Sequence, residues 1–232
     1  MNLAIIPARG GSKRIPGKNV RDFCGRPVIA WSIAAARRSG LFDLVVVSTD
    51  CPEIASVANE FGAETPFRRP PELADDHAPT IPVVRHAIEQ MQQRQGLNPQ
   101  RVCCIYATAP LLEPADLQTA EQCLLQDPEL EFAVSVTRFS FPVLRAVRID
   151  DRQRISMFWP EHELTRSQDL PAAWHDAGQF YFGRTAAFFD NDGVFNARTA
   201  PVCLPASRVQ DIDTEEDWAR AEAIFRLREA VV

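Results

Sequence analysis

Residues 1–19 read MNLAIIPARGGSKRIPGKN, and the fold follows from how this stretch changes character after its seventh residue. Leu3 to Ile6 is a short apolar run of the kind that forms a buried strand, and the segment after it turns abruptly basic and glycine-rich. Gly10, Gly11 and Gly17 allow close backbone approach and positive φ, while Arg9, Lys13, Arg14 and Lys18 bring charge to the same loop. A strand that empties into such a loop makes an anion site, and the expected guest is a polyphosphate. The loop is not a Walker A motif: five residues, Ser12 to Pro16, separate Gly11 from Gly17, and Asn19 follows Lys18 where Ser or Thr is required. No G-x-G-x-x-G dinucleotide fingerprint is present either.

The alternative for any glycine-lysine stretch is a solvated basic loop, and charge distribution argues against it. Six of the 25 Lys and Arg residues (Arg9, Lys13, Arg14, Lys18, Arg21, Arg26) fall in the first 26 positions, where Asp22 is the only acid, yet the chain carries a net charge of −6. Local positive charge on an acidic background points to a small anionic ligand and away from a general nucleic-acid binder. The 232 residues, 46% hydrophobic, can bury a full core as one domain carrying an insertion. The six cysteines form no C-x-x-C pair, which fits structural thiols in a reducing cytosol. No stretch approaches transmembrane length and the N-terminal apolar run is too short for a signal peptide, so a cytoplasmic protein is expected.

Outward from the loop, a helix from Pro27 to about Arg38 precedes an apolar strand in Asp43 to Thr49 (DLVVVST), and Pro52 opens a second helix that Gly62 stops. Strand, helix, strand, helix implies an α/β fold with a mostly parallel sheet and helices on both faces. A helix to about Gln95, a strand in Val102 to Tyr106, a helix from Pro114 and a strand in Phe132 to Thr137 continue the pattern. From 138 to 176 it loosens into an aromatic insertion with a turn at Asp150-Asp151-Arg152, before Gln179 to Phe182 returns to strand character. Ala200 to Leu204 is the last strand and Thr214 to Arg228 the last helix. Open parallel sheets bind ligands at the carboxyl ends of their strands. The basic loop, Ser48-Thr49-Asp50, Tyr106 to Pro110 and Val209 to Asp213 therefore belong to one rim.

Asp211 and Asp213, two apart in an extended segment, face the same side and would suit Mg²⁺ beside a polyphosphate. A second reading makes this the start of a helix, with Asp213 and Glu216, or Thr214 and Asp217, as its capping box. The four histidines, His77, His86, His162 and His175, have no metal-ligand partner at useful spacing and read as structural or surface residues.

These residues carry a resemblance. Ala8 to Asn19, then Phe67-Arg68-Arg69-Pro70 with Glu72-Leu73-Ala74, Asp76 and Thr80, then Ala107-Thr108-Ala109-Pro110-Leu111, then Asp211-Ile212-Asp213-Thr214-Glu215-Glu216-Asp217-Trp218 resemble, in order, the motifs of cytidylyltransferases that activate nonulosonic acids as CMP-sugars. The resemblance implies a nucleotide-diphospho-sugar transferase-like (Rossmann-like) fold. Sialic acid enzymes usually show Gln-Pro-Thr-Ser-Pro where this chain has Tyr106-Ala107-Thr108-Ala109-Pro110; residues 165–170 and 174–183 resemble pseudaminic acid cytidylyltransferases. The implied reaction is attack of the sugar's anomeric hydroxyl on the α-phosphorus of CTP with loss of pyrophosphate. By the same resemblance Arg9, Gly11, Ser12, Lys18, Asn19, Arg69 and Thr80 bind CTP, and Asp211 and Asp213 hold Mg²⁺. Arg9, Lys18 and Asp211 are the expected catalytic residues. Arg166 is the choice for the sugar carboxylate, whose two oxygens match a guanidinium fork, with Gln179, Phe180 and Tyr181 as further sugar contacts. The insertion is expected to serve a homodimer. N-Acetylneuraminic or legionaminic acid is the alternative substrate, and a nucleotide-sensing module or a phosphotransferase the alternative from another class.

Overall fold

The computed structural model describes residues 1–75 and 78–229, so the expectations placed on Asp76 and His77 lie outside the described residues. In chain order the elements are β1 (Asn2–Pro7), β2 (Asp22–Phe23), β3 (Arg26–Pro27), α1 (Val28–Arg38), β4 (Leu44–Ser48), α2 (Pro52–Glu60), α3 (Thr80–Gln95), β5 (Arg101–Ile105), α4 (Pro114–Gln126), β6 (Phe132–Arg138), β7 (Val147–Ile149), β8 (Ile155–Met157), β9 (Trp174–Arg184), α5 (Thr185–Asp190), β10 (Thr199–Leu204) and α6 (Glu215–Glu229). Six strands form one sheet in the order β10-β6-β9-β5-β1-β4. Every neighbouring pair is parallel except those made by β9, which runs antiparallel to both β5 and β6. The mostly parallel α/β expectation holds, and the strand that breaks it sits in the middle of the sheet.

Strand alternation builds the two core layers. Ala4 and Ile6 of β1 pack with Ile29 and Ile33 of α1, Ile54 of α2 and Leu117 of α4, whereas Leu3 and Ile5 face Val84, Ile88 and Met91 of α3 and Phe188 of α5. Helices thus cover both faces of the sheet. The helix α6 closes a third cluster, in which Trp218 and Phe225 pack with Ile15, Phe23 and Ile212. Among the described residues no helix is long and apolar enough to cross a membrane. The six cysteines are free thiols; Cys103 and Cys104 are fully buried on β5, and burial pushes the Cys104 thiol up to about 12.

One sequence expectation needs correction. The segment 174–176, read as part of the insertion, belongs to β9: Arg138 pairs with Trp174, Thr137 with His175 and Val136 with Asp176. The register shifts between Val134 and Val136, opposite a left-handed Gly178 (φ 63°). This bulge breaks the period-two alternation and hides the first three residues of the strand. Within the insertion Val143–Arg145 forms a 3₁₀ turn before β7. β7 and β8 pair as a hairpin whose turn is held by the Asp150 carboxylate, accepting from the amides of Arg152 (2.8 Å) and Arg154 (2.9 Å).

Gly183 of β9 has no room for a side chain. A Cβ there would lie 2.5 Å and 2.7 Å from two ring atoms of Phe132 and 3.0 Å from Phe188, two fully buried rings packed edge to face. Gly183→Ala is expected to cost about 1–3 kcal/mol through overpacking, lowering Tm by about 2–4 °C per kcal/mol. An unchanged melting temperature would mean that the two rings can part at little cost.

Candidate active site

The rim predicted from the strand order exists. β1, β4, β5, β6 and β10 all end there, and the antiparallel β9 begins there. The basic loop after β1 is fixed at three points. The amide of Gly10 donates to the Asp50 carboxylate at 2.9 Å, and a Cβ on Gly10 would come within 2.9 Å of Cys51, so this glycine serves close packing. Ile15 is fully buried against α6 and Ile212. Gly17 is left-handed (φ 63°) and starts the 3₁₀ turn of Lys18 to Val20. Gly11 meets no protein atom that a Cβ would touch and is not among the glycines of positive φ, so the left-handed conformation read for it from sequence is not adopted.

Arg9, Ser12, Lys18, Asn19, Arg69 and Thr80 line one cavity of about 450 Å³, together with Lys13, Arg14 and Tyr106. Of the residues expected to bind CTP, Gly11 alone is absent from its wall. Each is placed by a distinct element. Asn19 is buried and donates to the carbonyl of Arg9 at 2.9 Å, tying the two ends of the loop together. Arg69 is buried too; its guanidinium donates to the Ser48 hydroxyl (3.1 Å) and the Ser48 carbonyl at the end of β4. Burial pushes its pKa down to about 10, against the attraction of Asp50, which leaves it cationic at neutral pH. Thr80 is the first residue of α3.

The two aspartates behave as the extended reading requires. Ile212 is fully buried in the α6 cluster while Asp211 and Asp213 project outward on either side of it. The capping alternative is also settled. Thr214 and Asp217 form the box, since the amide of Asp217 donates to the Thr214 hydroxyl (3.2 Å) and the amide of Thr214 to the Asp217 carboxylate (2.9 Å). Asp213 is left for the loop, with its carboxylate 2.8 Å from Arg14 and 3.6 Å from Lys18, whose ammonium also donates to the carbonyl of Ile212. Loss of solvent and then the neighbouring Asp213 raise the pKa of Asp211, and Lys18 opposes them. Basic loop and acidic pair are one electrostatic unit.

The residues expected to hold a sugar are not brought together. Arg166 lies on the exposed insertion, where its guanidinium forks onto Asp169 (2.6 Å and 3.1 Å). Phe180 is fully buried in the layer under α1, α2 and α4, so its ring cannot touch a ligand: strand alternation turns it away from Tyr181 and into the core. Gln179 is buried, donating its amide to the Arg208 carbonyl at 2.7 Å while its side-chain oxygen has no partner. Tyr181 reaches the cavity only through Tyr106, whose hydroxyl is 3.1 Å from its own. Sequence reasoning missed the buried ion pair of Arg208 with Asp116 (2.6 Å and 2.9 Å), which fixes the chain three residues before Asp211. It also gave no role to Asp176, although an aspartate two residues before a glycine is a recognisable turn signal.

This arrangement can bind a nucleoside triphosphate through cations and amides and place an acidic pair beside it, which is the equipment for displacement at phosphorus. Comparison with known proteins agrees. The chain is 44% identical over 226 residues to a pseudaminic acid cytidylyltransferase of Campylobacter jejuni, covering 97% of each sequence. It is 32% identical to the CMP-N,N'-diacetyllegionaminic acid synthase of Legionella pneumophila over 99% of each. The fold matches that of a CMP:2-keto-3-deoxy-manno-octonic acid synthetase solved with CTP, at a TM-score of 0.71 and 19% identity over 98% of this chain and 99% of the other. The model of the cytidylyltransferase family matches residues 3–225, nearly the whole sequence, and the chain belongs to that family.

Proposed function

We propose that the protein transfers CMP from CTP to the anomeric hydroxyl of pseudaminic acid, releasing pyrophosphate. The observation that carries the choice of acid is the similarity to the pseudaminic acid cytidylyltransferase, which runs the length of both chains. Arg9 and Lys18 hold the triphosphate, with Ser12 and the loop amides adding hydrogen bonds. Asn19, Arg69 and Thr80 take the cytidine. Displacement at phosphorus asks the protein for alignment and charge neutralisation, and a preformed loop of cations pinned at Ile15 offers both.

Asp211 and Asp213 fit one divalent, oxygen-seeking ion. The charge of Asp213 disfavours ionisation of Asp211, and Lys18 and the Ile212 amide oppose it there. Among the described residues no cluster of three or more ligating side chains occurs, so phosphate oxygens and water would complete the shell, as Mg²⁺ prefers. When bound, Mg²⁺ supplies positive charge to the phosphates and acidity to a coordinated hydroxyl. A homodimer is supported by the insertion, whose Phe141, Ile149, Ile155 and Leu164 are exposed, an apolar set that an oligomer would cover. Arg166, on that same insertion, would then meet the sugar from the partner subunit. A cytoplasmic location follows from the need for CTP.

The test is pyrophosphate release from CTP and Mg²⁺ with pseudaminic, N-acetylneuraminic and legionaminic acids in parallel, with ATP, GTP and UTP as controls. Release with CTP and pseudaminic acid alone is expected. Release only with another acid keeps the reaction and overturns the sugar; release of orthophosphate instead would make the protein a phosphotransferase or hydrolase.

A further inference from the structure

A hydrogen-bonded chain of three side chains runs from the interior of the sheet to the cavity wall. It starts at Asp176 of β9, half-buried at the bulge, whose carboxylate accepts from the amide of Gly178 (2.8 Å) through one oxygen and from the Tyr181 hydroxyl through the other. Tyr181, largely buried, stands edge-on to Tyr106, with ring centroids 5.6 Å apart and hydroxyls 3.1 Å apart. Tyr106 lines the cavity together with Thr80.

Proton counting fixes the direction of this chain. An ionised carboxylate can only accept, so the single proton of Tyr181 goes to Asp176. The oxygen of Tyr181 can then only accept, which takes the single proton of Tyr106. Tyr106 therefore has no proton left for the cavity and offers lone pairs alone. Burial raises the pKa of both phenols, which keeps each proton in place. From this geometry we infer that Asp176 is a positioning residue that locks Tyr106 as a hydrogen-bond acceptor, and that Tyr106 thereby selects a substrate bearing an N–H or O–H donor at that wall. Such a donor can come from two sources in the proposed reaction, the exocyclic amino group of cytosine or an acylamino or hydroxyl group of the acid. The inference rests on that reaction, but it concerns which way the protons point.

The test uses the full-length protein and compares Tyr106→Phe, Asp176→Asn and Tyr181→Phe with wild type. Asp176→Asn keeps the shape, but its amide can donate to Tyr181, reversing the chain so that Tyr106 faces the cavity as a donor. Tyr181→Phe cuts the chain and frees the Tyr106 proton for the same purpose. The expected result is that all three raise the KM of one substrate by about tenfold, the loss of one hydrogen bond, with the other KM within about twofold. A rise confined to the acid places the donor on the acid, and one confined to CTP places it on the base. If Tyr106→Phe raises a KM while Asp176→Asn and Tyr181→Phe, both folded, do not, Asp176 does not set the direction and the inference fails. It fails equally if no KM moves, or if only kcat falls. Wild-type protein that releases no pyrophosphate with any acid would sink the proposed reaction instead, before any variant is compared.

Discussion

Lys18→Ala is expected to lower kcat/KM for CTP by about 10²–10³-fold, the cost typical of removing one preorganised charge from a site where negative charge develops. Lys18 earns this weight from its placement. It opens the 3₁₀ turn that follows the left-handed Gly17, its side chain is mostly buried, and its ammonium bridges the Ile212 carbonyl and the Asp213 carboxylate. It is thus held between the expected phosphate and metal positions with little entropy left to lose when a ligand arrives. Arg14 makes a shorter contact with the same carboxylate, at 2.8 Å, but its side chain is 68% exposed and Asp213's 36% exposed. An ion pair so accessible contributes little, so Arg14→Ala should cost less than about tenfold. Steady-state kinetics of pyrophosphate release, with circular dichroism to show that both variants fold, makes the comparison. Near-wild-type values for Lys18→Ala would remove the loop from the triphosphate site.

The contrast between Lys18 and Arg14 also marks what sequence can and cannot reveal. That four cations cluster around three glycines is legible at once; which of them is buried is decided by Ile15, a residue that looks like an ordinary apolar loop position until α6 packs over it. The parallel sheet was legible because each apolar run is followed by a helix with clear ends. β9 was not, since its first residues precede a bulge and its direction depends on the crossover that the insertion makes. The positions of the expected sugar residues were hidden for a similar reason. Phe180 and Tyr181 are adjacent, and only the pairing of β9 with β5 and β6 tells which one turns into the layer under α1, α2 and α4 and which into the opposite layer beside Tyr106. Arg166 was chosen for its chemistry, and within one chain its fork is taken by Asp169.

Asp211→Asn should abolish Mg²⁺-dependent turnover, lowering kcat by about 10²-fold or more, while leaving the fold intact. The structural side of this expectation is that Asp211 holds nothing together: the capping of α6 falls to Thr214 and Asp217, and the buried anchor of the segment is Ile212. Its raised pKa indicates destabilisation of the charged form, by loss of solvent and by Asp213, and a divalent cation is the natural relief. The sign of the pH dependence follows. A carboxyl with a raised pKa holds its proton to higher pH than an ordinary aspartate, so protons compete with the metal further up the acidic range. The Mg²⁺ concentration giving half-maximal rate in the wild type should fall as pH rises through the acidic range and then level off. Asp211→Asn removes the competing proton along with the ligand. Titration calorimetry with Mg²⁺ and CTP should show weakened metal binding in this variant with an unchanged melting temperature. An active variant that melts early would reverse the assignment, making Asp211 a structural residue and leaving the metal to Asp213 and the phosphates.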